Sequence, residues 1–360
     1  MDLYLDANAT EPLRPEARAA LLAALDLPGN PSSVHAAGRA ARRVLEGVRE
    51  GIAARFGAAP GDVVLTAGGT EANALAVRGM AGARRVLVGA TEHPAVLAAA
   101  PGAEALPVRA DGTLDLDALE AALKAGPPAL VCLMAANNET GVLHPLDEAA
   151  ALCRAHGAWL HVDAVQAAGR VPVSLAALAA QSLAVSGHKL GGPKGAGALL
   201  LAPGMAPAAL VAGGGQEKGR RGGTEPLPAL AGMAAAAEAA TPADAARLAA
   251  LRDAIEAGCV TLGAEVAGAG APRLPNTTSL VLPGVAAETQ VIALDLAGIR
   301  VSAGAACSSG KVGRSHVLAA MGLREKAGQA IRVSLPWNAP GDTAVRFVAA
   351  WAAMRARIRG

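Results

Sequence analysis

Aromatic residues are nearly missing from this sequence: three Trp, one Tyr and two Phe make up 2% of 360 residues. A flat ring ligand would find few side-chain faces to stack on, and a histidine would have to serve instead. Cysteine is scarce too. Cys132, Cys153, Cys259 and Cys307 lie far apart with no Cys-x-x-Cys pair, which excludes a secreted disulfide scaffold and a structural zinc site. Charge of one sign is also lacking, since 32 Lys and Arg stand against 30 Asp and Glu for a net +2, spread along the chain. With no basic stripe to neutralise phosphates, no nucleic-acid partner is expected. No run reaches the roughly 18 apolar residues of a membrane helix, and acids at Asp2 and Asp6 precede any apolar stretch. The expectation is a cytoplasmic protein without a membrane partner.

Apolar residues, by contrast, make up 52% of the chain and charged ones 17%, a balance that builds a large core and excludes disorder for most of the length. At this length two packed units are expected rather than one. After a short extended start, PEARAALLAALD reads as a helix with Pro15 in its first turn, and Ala36 to Phe56 as a longer one. The middle alternates short β-type runs (62–66, 85–89, 129–134, 159–163, 182–186, 197–202) with helical stretches such as 115–125 and 145–156. Several runs are apolar throughout, as in strands covered on both faces, so the class is α/β with a mostly parallel sheet. The segment GGGQEKGRRGGTEP within 203–225 reads as a functional loop. Ala-rich helix fills 226–262, and strands TTSLVL, IRVS and IRVSL then alternate with helices 288–297 and 342–357, a smaller α/β unit.

Ligands of open α/β sheets bind beyond the carboxyl ends of the strands, so the residues just after each run carry the most information. After the first come Gly68, Gly69 and Thr70, with the glycines allowing close backbone approach and Thr70 able to cap a helix, a suitable phosphate cradle. After the second comes His93, and after the third a loop of amides and polar groups at Asn137, Asn138, Glu139 and Thr140. Asp163 and Gln166 follow the fourth; a buried acid there needs a partner, and a protonated ring nitrogen is one. After the fifth, Ser186, His188 and Lys189 sit in a glycine-bounded loop, and with only six lysines in the chain Lys189 is the candidate carbonyl-reactive amine. Each signal has a structural alternative: a glycine turn, a core histidine, a plain turn, an N-cap. Together, a phosphate cradle, a stacking histidine, an acid for a ring nitrogen and a strand-end lysine describe a pyridoxal phosphate site.

The strings DANAT, NPSSVHAAGR, TAGGTEAN, ATEHPAV, NNETGVLHP, HVDAVQAAG, SGHKLGGPKG, RRGGTE, SAGAACSSG and IRVSL occur in this order. The chain thereby resembles the cysteine desulfurases of the NifS/IscS type, among the class V aminotransferase-like pyridoxal phosphate enzymes, over essentially its whole length. The resemblance implies an aspartate-aminotransferase-like fold (fold type I). It places an N-terminal segment 1–14 against the small domain, a large cofactor-binding domain at 15–240, and a small domain at 241–360 carrying the Cys307 loop. It implies that Lys189 forms the Schiff base, Asp163 pairs with the pyridinium nitrogen, Gln166 contacts the ring hydroxyl and His93 stacks on the ring and assists proton transfer. Gly69, Thr70, Ser186 and His188 match the phosphate cradle, and Asn138 and Arg332 the residues that hold the substrate carboxylate. Thr224, beside Arg221, matches a loop that reaches the phosphate of the partner subunit, which implies a homodimer. Cys307 aligns with the sulfur-accepting cysteine, on a loop whose small residues suggest mobility. Cys132 and Cys153 read as buried structural thiols.

The implied activity converts L-cysteine to L-alanine and passes the sulfur through Cys307 to an acceptor such as an iron–sulfur scaffold protein. Another class V enzyme, a selenocysteine lyase or an aminotransferase, is the alternative, and would be indifferent to Cys307. A nicotinamide dehydrogenase is weaker, because AGGTEAN lacks the GxGxxG order. Two departures from the family pattern are Ala7, where many relatives carry a larger polar residue, and Pro336-Trp337 after IRVSL.

Overall fold

Seven strands make the main sheet, in the spatial order Val63–Thr66, Gly197–Leu201, Ser182–Ser186, Trp159–Asp163, Ala129–Met134, Arg85–Gly89 and Glu104–Leu106. The neighbours from Ser182–Ser186 through to Glu104–Leu106 pair in parallel, and Gly197–Leu201 runs against both of its neighbours. The structure, a computed structural model, describes residues 2–304 and 313–359. Cys307 lies outside the described residues.

The central strands are buried at every position of Ala129–Met134, Ser182–Ser186 and Gly197–Leu201, which is why their sequences are apolar without alternation. Helix Ala36–Phe56 covers the sheet with Ala41, Leu45, Val48, Ile52 and Phe56, a spacing of three and four residues that keeps one stripe inward. Its N-terminus is closed by the His35 side chain, which accepts from the Gly38 N–H, and its C-terminus by Gly57 at φ 73°, where a Cβ would be strained. Each fully buried Leu, Ile or Phe of this kind contributes roughly 1.5–3 kcal/mol.

A second sheet of four short antiparallel strands runs in the order Ser302–Ala303, Ala330–Ser334, Thr277–Val281, Glu265–Val266. It has a core of its own, in which Leu248, Ile255, Leu280, Ile331, Phe347 and Trp351 pack with Leu3 and Leu5 from the start of the chain. The stretch IRVS, which reads as one strand, is two: Ile299–Arg300 pairs in parallel with Leu3–Tyr4, while Ser302–Ala303 joins the second sheet. The Ala-rich stretch 226–262 is likewise two helices, Leu227–Ala239 and Ala245–Thr261, parted at Thr241-Pro242 where proline cannot continue an interior turn. Between 203 and 225 the only regular piece is a single turn at Gln216–Gly219. No helix among the described residues is long and apolar enough to cross a membrane.

Candidate active site

Beyond the carboxyl ends of the parallel strands lies a cavity of about 390 Å³. Each strand that ends there delivers side chains to it: Gly69 and Thr70 after Val63–Thr66, His93 after Arg85–Gly89, Asn138 after Ala129–Met134, Asp163 and Gln166 from Trp159–Asp163, and Ser186, His188 and Lys189 after Ser182–Ser186. Arg332 and Ser302 reach it from the second sheet, and Asn8 and Ala9 from the N-terminal segment. The site is therefore built where the two cores and the chain start meet.

Helix Gly69–Met80 begins at the cavity wall, so its first N–H groups, which have no intrahelical acceptor, are available to an anion. Its cap is Gly68, which corrects the expectation that Thr70 caps it; Thr70 lies inside the first turn. A Cβ on Gly69 would come within 2.6 Å of Val165 Cγ2 and 3.3 Å of Ser186 Cβ, so only glycine permits this close approach. His188 lines the same cavity with Nδ1 3.0 Å from the Thr10 hydroxyl, and burial and nearby cations push its pKa down to about 4. With that hydroxyl donating to Nδ1, Nε2 keeps the hydrogen and can be given to a phosphate oxygen.

Asp163 is buried, and burial raises its carboxyl above the usual range, opposed by a bond from the Val165 N–H at 2.9 Å, by His93, and by a bond from Asn73 Nδ2 at 2.6 Å. Among the described residues no cation bonds it directly, so a protonated ring nitrogen is the partner that would keep it ionised. Lys189 donates to the Asn8 carbonyl and, at 3.0 Å, to that of Ala9. Burial first, and then the charges of Arg332 and Arg170, push its pKa down to about 7. A lysine so depressed is a usable nucleophile and base near neutrality. His93 opens onto the cavity with Nδ1 accepting from the Ala95 N–H at 3.1 Å, and desolvation lowers its pKa despite Asp163, so its ring is neutral.

Several residues at the site had no role assigned from sequence. Asn8 ties the parts together: its carbonyl accepts from Lys189 and from Gln166 Nε2, and its amide donates to the Asn138 carbonyl and the Thr277 hydroxyl. Asn73 joins Asp163 to a buried chain, its Oδ1 lying 3.0 Å from His161 Nε2, while His161 Nδ1 lies 2.9 Å from the Ser182 hydroxyl. Asn73 was findable, because it stands one helical turn after Gly69 and Thr70 and shares their face. Glu92 is wholly buried beside His93, held by the Met134 N–H at 2.7 Å, and burial raises its pKa well above the usual value. Thr224 is exposed and does not line the cavity of its own chain, while Arg221 bonds Glu71 at 2.9 Å on the cradle helix. Cys132, Cys153 and Cys259 are all buried, and burial raises the last two thiols to about 12 and Cys132 well above its usual value.

The residues present fit pyridoxal phosphate. The glycine-walled helix start and its hydroxyls suit the phosphate, Asp163 lacks among the described residues the cation that a pyridinium would supply, and Lys189 offers an amine of depressed pKa. On a mostly parallel sheet beside a smaller α/β unit, that combination defines a pyridoxal-phosphate enzyme of fold type I. The chain belongs to the aminotransferase class-V family, whose model matches residues 3–342, and within it to the cysteine desulfurases of the NifS/IscS type. It is 43% identical to the cysteine desulfurase of Cereibacter sphaeroides over 92% of this chain and 90% of that one. It is 39% identical to the IscS-like cysteine desulfurase of Mycobacterium tuberculosis over 92% and 91%. The X-ray structure of a NifS-like protein from Rickettsia africae superimposes with a TM-score of 0.92 at 32% identity, covering 98% of this chain and 99% of that one.

Proposed function

We infer that this chain removes sulfur from L-cysteine, releases L-alanine, and takes the sulfur on Cys307 as a persulfide. The observation that carries the reading is the convergence of Lys189, Asp163, His93, Asn138 and Arg332 on one cavity in a chain whose relatives are cysteine desulfurases. When bound, pyridoxal phosphate supplies the electron sink that makes the substrate Cα–H acidic. Lys189 would hold it covalently, Asp163 its ring nitrogen, Gln166 its ring hydroxyl, His93 its ring face, and Gly69, Thr70, Ser186 and His188 its phosphate.

Each protein group then has a task its surroundings support. Arg332 and Asn138 bind the substrate carboxylate and so fix the Cα–H direction. The Lys189 amine, pushed down to about 7, takes the Cα proton and later returns one. With Nδ1 accepting from the Ala95 N–H, neutral His93 carries its hydrogen on Nε2 and offers it as a donor inside the cavity. The Cys307 thiolate bonds to the substrate sulfur as the Cβ–S bond breaks, its electron pair staying with carbon, which takes a proton on the way to alanine. Ser302, five residues before Cys307 in the sequence, lines the cavity, which supports this role for Cys307. The three buried cysteines, whose thiols burial holds protonated, are not competing nucleophiles.

We further read the protein as a cytoplasmic homodimer that hands its sulfur to an acceptor protein such as an iron–sulfur scaffold. The exposed Thr224, unused by its own cavity, supports the dimer. The division into segment 1–14, large unit 15–240 and small unit 241–360 is supported by the separate cores and by Leu3 and Leu5 in the second. The test is release of alanine and sulfide from L-cysteine by the cofactor-loaded protein with a reductant, beside Cys307→Ala. Equal amounts of both products, lost in the variant, are expected; sulfide release undiminished in Cys307→Ala would rule out the persulfide role.

A further inference from the structure

Arg332 is satisfied on two of its three nitrogens. Nη1 donates to the Asn138 carbonyl at 3.0 Å and Nη2 to Asp6 Oδ1 at 2.7 Å, while Nε is buried with no partner among the described residues. The guanidinium side chain is 6% exposed and that of Asp6 19%, so this ion pair is shielded from water. A buried guanidinium with an idle N–H is a receptor awaiting an acceptor, and a carboxylate entering the cavity supplies one.

Asp6 is itself held rigidly. Ser334 N–H donates to the Leu5 carbonyl at 2.9 Å and Ala7 N–H to the Ser334 carbonyl at 3.0 Å, so Asp6 lies bridged to Ser334 in parallel, two residues along the strand from Arg332. The Tyr4 hydroxyl adds a bond to the Asp6 carbonyl at 3.1 Å. A long flexible arginine would otherwise sample several rotamers, and fixing it before the substrate arrives removes that ordering cost from binding. The charge matters as well: Arg332 disfavours the protonated Lys189 amine, and Asp6 offsets part of that effect.

We propose that Asp6 is a positioning residue for substrate recognition: its carboxylate fixes the Arg332 fork that receives the substrate α-carboxylate, and so selects amino acids over amines that lack one. The proposal rests on the reading of Arg332 given above. It assigns the N-terminal segment a part in specificity in addition to its packing against the second core.

The test compares the cofactor-loaded wild type with Asp6→Ala, Asp6→Asn and Arg332→Ala. Binding of L-alanine and of ethylamine, which is alanine without its carboxylate, is followed by the change in the cofactor's absorption, and KM and kcat are measured for L-cysteine. Asp6→Ala is expected to weaken L-alanine and raise KM roughly ten- to a hundredfold, with kcat falling less and ethylamine unaffected. Asp6→Asn, which keeps an acceptor of the same shape, is expected to fall between, and carries the test where Asp6→Ala fails to fold. Weakened L-alanine in Arg332→Ala with both Asp6 variants like wild type overturns the proposal alone. Unchanged L-alanine in Arg332→Ala overturns the reading of Arg332 and the proposal with it. Equal losses of L-alanine and ethylamine in the Asp6 variants also overturn it, since they indicate general damage to the cavity.

Discussion

Arg49 and Glu217 form one buried cluster of charge, and Lys189, Asp163 and Arg332 around the cavity form another. In the first, every charged atom has an answer: both Glu217 oxygens meet the Arg49 guanidinium, Glu217 Oε2 also accepts from the Leu65 N–H at 2.8 Å, and Arg49 Nη1 reaches the Val63 carbonyl at 2.9 Å. The pair clamps the loop after Gly197–Leu201 to the edge strand, and it holds Glu217 and Lys218 at φ 50° and 58°, a backbone region that costs non-glycine residues free energy. In the second cluster the answers are incomplete. Among the described residues Arg332 keeps an idle Nε and Asp163 has no bonded cation, and Lys189 rests on main-chain carbonyls with its pKa at about 7. The paired Arg49–Glu217 cluster serves the scaffold, and the open charges around the cavity mark where a ligand completes the structure.

Substitutions should separate the two clusters. The largest effect is expected from Lys189→Ala, which lowers alanine formation by roughly a thousandfold or more while leaving the unfolding midpoint near wild type; substantial turnover in that variant would show that another group moves the Cα proton. Glu217→Ala should do the reverse, costing about 3–5 kcal/mol in urea unfolding because Arg49 is left buried and unpaired, with the cofactor's absorption still forming. A smaller loss, within that of a surface pair, would mean water replaces Glu217 and that the contrast between the clusters is overstated.

A third test uses pH. Capture of pyridoxal phosphate by the cofactor-free protein needs the neutral Lys189 amine, and the neutral form is lost as pH falls through the folded pKa of about 7. The capture rate, followed by absorption after rapid mixing, should be flat above about pH 8 and fall about tenfold per unit well below about pH 7. A rate that keeps climbing towards pH 10 would place Lys189 at its ordinary value and remove the cavity's effect on it. The smallest effect is expected at the thiols already shut away. Cys153→Ala should keep alanine formation within about twofold of wild type and cost on the order of 1 kcal/mol from the lost packing.

The same contrast explains how much could be read from the chain alone. Strands Arg85–Gly89, Ala129–Met134, Trp159–Asp163 and Ser182–Ser186 stand at the residues their apolar runs mark, since a strand covered on both faces needs no tertiary information to be seen. Their carboxyl ends also deliver the expected groups, from His93 to Lys189, to one cavity, where Arg332 joins them from the second sheet. The split of IRVS into two strands was not legible, because it depends on which distant segments, Leu3–Tyr4 and Ala330–Ser334, offer backbone partners on either side of Val301. Asn8 was invisible for the same reason: its role arises only when the chain start is laid across the second sheet. Trp337 is similar, its indole N–H donating to the Pro12 carbonyl at 2.9 Å and its ring lying under Arg14, contacts that lock the N-terminal segment.

The most direct test of the account is where the sulfur goes. Cofactor-loaded protein mixed with L-cysteine in the absence of reductant, then digested and examined by mass spectrometry, should carry one added sulfur on the peptide containing Cys307. The peptides containing Cys132, Cys153 and Cys259 should stay unmodified. Alanine formed with no added sulfur on Cys307, or sulfur found instead on one of the buried cysteines, would contradict it.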